Sequence, residues 1–177
     1  MDIKKTIISS DSFGSSEGKE IALKLINSPA SLPLFIEGFL GDDIRYRQRA
    51  AWVLVALANN HEEVLNPYLK ILSAALLNSS EDSVKRNILR IFQHITLPQS
   101  IHEQMINYCF EVLASKEEAI AIQVFAMSVL KKLITNYPEL RRELSFILEE
   151  RLPYASAGYK ARAKTIITAL NKKGDLQ

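Results

Sequence analysis

Residues Asp43 to Asn59 read DIRYRQRAAWVLVALAN. An acid opens the stretch, bases follow at Arg45, Arg47 and Arg49, and the rest is small or apolar. Ala50, Val53, Leu54 and Leu57 stand at i, i+3, i+4 and i+7, the spacing of one stripe on an α-helix. Stepping 100° per residue from Ala50 keeps the other three within about 60° of it. Arg45, Gln48, Trp52 and Val55 fall on the opposite side.

The same stripe returns along the chain. Ile88, Ile91, Phe92 and Ile95 follow 38 positions later, and Ala126, Val129, Leu130 and Leu133 follow after another 38. Ala163, Ile166, Ile167 and Leu170 follow after 37. Four apolar columns in register over four units define a repeat in the range of helix-pair solenoids. One hairpin cannot bury its apolar stripe alone, so neighbours stack and share a core. The helices that carry the columns are B, and those before them are A. Leu72, then Cys109 or Phe110, then Ile147 give the A helices a looser register.

Apolar spacing predicts helices near 17–28, 31–41, 43–60, 62–78, 81–96, 99–114, 117–135, 138–151 and 157–173. Pro29, Pro33, Pro98, Pro138 and Pro153 stand at helix boundaries, where a missing N–H is tolerated, and Pro67 marks a first turn or a kink. Strand signals are nearly absent. The Ser- and Gly-rich stretch Ser9–Gly18 reads as flexible. The expected organisation is a flexible segment over 1–16, one repeat domain over 17–173 and a tail over 174–177.

The stretch Asp43–Asn59 resembles the second helix of a repeat of the HEAT and armadillo superfamily, with its acid, its basic residue and its small and apolar positions. The third unit, at Ala119-Ile-Ala-Ile-Gln, lacks the basic position. The resemblance covers residues 31 to 173. It implies an all-α fold, a right-handed α-α superhelix of about four helix hairpins preceded by an N-terminal helix. It also implies a concave surface lined by B helices, and no particular reaction.

Asp42-Asp43, Glu81-Asp82 and Glu117-Glu118 precede the first three B helices, and Ser156 precedes the fourth. They are expected to cap orphan N–H groups and to complement the helix dipole. Past these caps the B helices hold no acid. They hold thirteen of the 22 bases: Arg45, Arg47, Arg49, Lys85, Arg86, Arg90, Lys131, Lys132, Lys160, Arg162, Lys164, Lys172 and Lys173. A net charge of only +2 therefore conceals a basic B-helix side. Such a side either binds anions or spends its bases on seams between repeats. The candidate binding residues are Arg45, Trp52, Arg86, Arg90, Lys131 and Lys132. Trp52, the only tryptophan, is either a partner hot spot or packing for the next B helix.

Enzymatic readings find little support. His61-Glu62 and His102-Glu103 are similar to the His-Glu pairs of iron-binding HEAT-repeat hydroxylases, but that family needs four pairs and this chain has two. The basic side and Trp52 are similar to those of the HEAT-like DNA glycosylases, yet no B helix supplies a catalytic carboxylate. Phosphate-loop, dinucleotide and nucleophile-elbow motifs are absent. Cys109, between Tyr108 and Phe110, reads as a buried small hydrophobe. No catalytic residue, metal or cofactor is expected. The apolar runs are too short to span a bilayer. The sequence reads as a cytoplasmic, non-enzymatic module that docks a protein or peptide, an acidic one first. Nucleic acid is the less favoured partner, and a membrane is not expected.

Overall fold

A computed structural model describes residues 3–172. Ten α-helices run through them: α1 (Ile3–Ser9), α2 (Ser15–Ile26), α3 (Leu32–Leu40), α4 (Ile44–Asn60), α5 (Leu69–Asn78), α6 (Asp82–Phe92), α7 (His102–Ala114), α8 (Ile120–Leu133), α9 (Arg141–Arg151) and α10 (Ala157–Lys172). No strand occurs among the described residues. Short 3-10 turns lead into α3, α5, α7 and α9, and a further one separates α9 from α10. Proline explains several of them. Pro29, Pro138 and Pro153 sit at the first or second position of their turns, where no N–H is needed. Pro67 lies inside the turn Glu62–Tyr68, so the helix expected from residue 62 becomes regular only at Leu69.

The helices form two compact units that divide between Thr96 and Leu97. In the first, α3 pairs with α4 and α5 with α6, while α4 packs against both α2 and α6. In the second, α7 pairs with α8 and α9 with α10, and α8 packs against α10. The four columns supply the cores. Ala50, Val53, Leu54, Leu57, Ile88, Ile91, Phe92 and Ile95 are buried in the first unit. Ala126, Val129, Leu130, Leu133, Ala163, Ile166 and Leu170 are buried in the second, and Ile167 is half-buried.

Helix α2 continues the columns toward the N-terminus. Its buried set Gly18, Ile21, Ala22 and Leu25 has the same i, i+3, i+4, i+7 spacing, 32 residues before the set in α4. Gly18 permits a close approach to α4. A Cβ placed on it would lie 2.9 Å from the carbonyl carbon and 3.0 Å from the Cβ of Trp52.

Within 1–16, read as flexible from its composition, the described residues carry helix α1. Ile7 is fully buried, and α1 packs on α3 and α4. The reason lies outside the segment. The Arg49 guanidinium donates to the Ile7 carbonyl at 2.7 Å, to that of Ile8 at 3.2 Å and to that of Ser10 at 2.7 Å. It also faces the Phe13 ring. One half-buried cation thus satisfies carbonyls that a short helix leaves open at its C-terminal end. Lys173 and the expected tail over 174–177 lie outside the described residues.

Candidate functional site: the arginines of α4 and α6

The bases of the B helices serve different ends. Arg47 is 2% exposed. One of its guanidinium nitrogens donates to Glu81 Oε2 at 2.7 Å and Ser83 Oγ at 3.1 Å, and the other donates to the Gly41 carbonyl at 2.7 Å. Glu81 was expected to cap α6, but its side chain makes no capping bond. It instead reaches back one repeat to neutralise Arg47. Asp43 does cap α4, its Oδ1 accepting from the Tyr46 N–H at 2.9 Å. Ser115 Oγ accepts from the N–H groups of Glu117 and Glu118 just before α8, and Ser156 Oγ accepts from the Tyr159 N–H in α10. Lys85 pairs with Asp82 one turn away at 3.5 Å. Arg49 ties down the N-terminal segment, and Arg45, although exposed, donates to the Ser10 carbonyl at 3.4 Å.

Arg86 and Arg90 remain. They stand at i and i+4 on α6 and therefore share a face, with Cβ atoms about 6 Å apart. The Arg90 guanidinium lies over the Trp52 ring, 3.7 Å from its centroid. Desolvation lowers the Arg90 pKa from its usual value, and the charge of Arg86 lowers it further. Among the described residues neither arginine forms an ion pair or donates a side-chain hydrogen bond. Trp52 is half-buried between the Gly18 approach of α2 and the Arg90 side chain.

Of the six candidate residues, the structure brings Trp52, Arg86 and Arg90 together in the first unit. Arg45 lies on the same helix as Trp52, engaged by the N-terminal segment. Lys131 and Lys132 are exposed in the last turn of α8, in the second unit, where cations suit the helix dipole.

The other candidates resolve into packing. His102 is buried, its Nε2 2.8 Å from the Leu97 carbonyl and its Nδ1 3.1 Å from the Tyr137 hydroxyl. The carbonyl can only accept, so Nε2–H donates to it. Among the described residues no group of three or more His, Cys, Asp or Glu could hold a metal ion. Cys109 is fully buried, and desolvation pushes its thiol pKa far up, against any nucleophilic role. The second unit has a cleft of about 670 Å³ floored by Tyr159. Arg151 beside it is already bound to the Leu113 and Ser115 carbonyls, at 2.6 and 2.8 Å. Its rim mixes Lys116 with Glu118 and Glu150. No helix among the described residues is long and apolar enough to cross a membrane.

Helix pairs in a repeating register, with their apolar columns buried between neighbours, define an all-α solenoid. The sequence matches the HEAT repeat domain family over residues 10–170, and the chain belongs to that family. No curated protein and no solved structure matches it.

Proposed function

We propose that the protein is a cytoplasmic, non-enzymatic interaction module that docks an acidic segment of a partner protein on the Trp52, Arg86 and Arg90 surface. The observation that carries this reading is the uncompensated pair. In the first unit Arg47, Arg49 and Lys85 are engaged by acids or carbonyls of the fold. Arg86 and Arg90 repel each other with no acid between them among the described residues. Structural arginines of a repeat protein find partners, as Arg47 does. Two that share a face without one are held for an external anion. The indole beneath Arg90 adds a rigid apolar platform of the kind that dominates interface energetics. Arg45, on the same helix as Trp52, would extend the surface within the first unit.

The test is quantitative capture of partners by the wild type and by Arg86→Glu/Arg90→Glu, with melting temperatures recorded for both. The expected result is loss of the captured proteins at an unchanged melting temperature. Equal recovery by both proteins would remove this surface from the function.

A further inference from the structure

We infer that the Arg86–Arg90 pair is a receptor for a single phosphomonoester dianion, carried by a phosphoserine or phosphothreonine of the partner. The inference rests on the docking reading above and specifies its anchor.

Three features of the site argue for a compact dianion. The first is charge. Two guanidiniums share one face of α6, and no acid of the described residues neutralises either. A carboxylate would compensate half of that charge. A phosphomonoester carries about −1.5 to −2 at neutral pH and offers three acceptor oxygens.

The second is donor geometry. The Arg90 guanidinium is held over the Trp52 ring, 3.7 Å from its centroid, and its N–H groups meet no acceptor among the described residues. Guanidinium donors in a plane suit bidentate contact with phosphate oxygens, and the rigid stack removes part of the ordering cost. Arg86, one turn away, reaches the same anion from its other side.

The third is the neighbourhood. Glu81 and Asp82 stand at the N-terminal end of the same helix, with side chains 56% and 67% exposed. A long polyanion laid along α6 would meet both acids within about a turn and a half of Arg86. A small dianion placed over Arg86 and Arg90 avoids them. The same acids select against nucleic acid, whose affinity grows with the number of phosphates neutralised along a track.

Trp52 is the only tryptophan, so its fluorescence reports occupancy of the site directly. The probes are the capped pentapeptide Gly-Ala-phosphoserine-Ala-Gly, the same peptide with Asp or Ser in place of phosphoserine, inorganic phosphate, and a twelve-residue oligothymidylate. The full chain is titrated at pH 7 and pH 5. The phosphopeptide is expected to bind about tenfold or more tightly than the Asp peptide and than inorganic phosphate, a difference of about 1.4 kcal/mol. That advantage should shrink at pH 5, where the second phosphate proton returns with a pKa near 6. It should vanish in Arg86→Gln, whose exposed position leaves the melting temperature unchanged.

Equal binding of the phosphoserine and Asp peptides would overturn the inference and leave the acidic-segment reading standing. Inorganic phosphate binding as well as the phosphopeptide would overturn it in favour of a free-anion site. Tighter binding of the oligothymidylate would overturn it in favour of nucleic acid. Absence of any saturable response would overturn it outright, while partner capture judges the broader reading separately.

Discussion

Replacing Arg47 tests how the first unit joins its repeats. Its guanidinium links α4 to Glu81 and Ser83 of the next repeat and to the Gly41 carbonyl before α4. Hydrogen bonds to charged groups contribute about 1.5–3 kcal/mol each, less where the partner is wet. The Glu81 side chain is 56% exposed, so its share is strongly screened. The Gly41 carbonyl and the buried aliphatic stem carry more. Arg47→Ala orphans that carbonyl and opens a cavity, and the loss should be about 3–4 kcal/mol. For a chain of this size that is a drop in melting temperature on the order of 10 °C. Arg47→Met refills the space without the charge and should lose about half as much. Glu81→Ala leaves the guanidinium buried but still held by Gly41 and Ser83, and should cost about 1–2 kcal/mol. Urea unfolding followed by Trp52 fluorescence reads this unit, since Trp52 lies within it. If Arg47→Ala costs under 1 kcal/mol, or if Glu81→Ala costs more than Arg47→Ala, the reasoning fails.

Gly18→Ala should invert the usual helix trend. At an open helical site the change gains about 1 kcal/mol, but here the new Cβ meets the Trp52 backbone at 2.9 Å. The expected loss is about 1–3 kcal/mol in the same urea assay, and a gain would show that α2 does not pack this closely. Arg49→Ala should release α1, with faster protease cleavage between residues 8 and 14 and little change in far-ultraviolet circular dichroism. Unchanged cleavage would show that the three carbonyl contacts do not hold the segment. Cys109 gives an alkaline signature. Its folded pKa is raised well above the unfolded value near 9, so the unfolded chain releases the proton first and stability falls as pH rises past about 9. The wild type should lose about 1.4 kcal/mol per pH unit more than Cys109→Ala does in that range, and parallel profiles would count against burial of the thiol.

The repeat was legible because burial enforces it. Every column position except Ile167 is buried, since a polar residue there would enter the shared core. Arg47 carried a readable signal too. It stands three residues before Ala50, within about 60° of the buried direction, so its burial follows from the same helical wheel. Its partner was hidden, because an acid before α6 looks like a cap until the distance to the preceding repeat is known. Helix α1 was hidden for a similar reason. A seven-residue segment has too little periodicity to announce itself, and its order comes from Arg49, forty residues on. Of the candidate surface, the sequence placed Trp52 opposite the buried stripe and counted Arg86 and Arg90 among the bases of the B helices. It could not separate them from Arg49, since both groups read as bases on the B helices. That distinction lies in which donors find acceptors, a property of tertiary packing.

The division of labour among the first unit's arginines is tested most directly by the urea stability of the Arg86→Gln/Arg90→Gln double variant. The glutamine stems still cover Trp52 and the mutual repulsion is gone, so stability should stay within about 1 kcal/mol of wild type. A loss of about 3 kcal/mol, matching Arg47→Ala, would mean that these two arginines also belong to the fold and are not held for a partner.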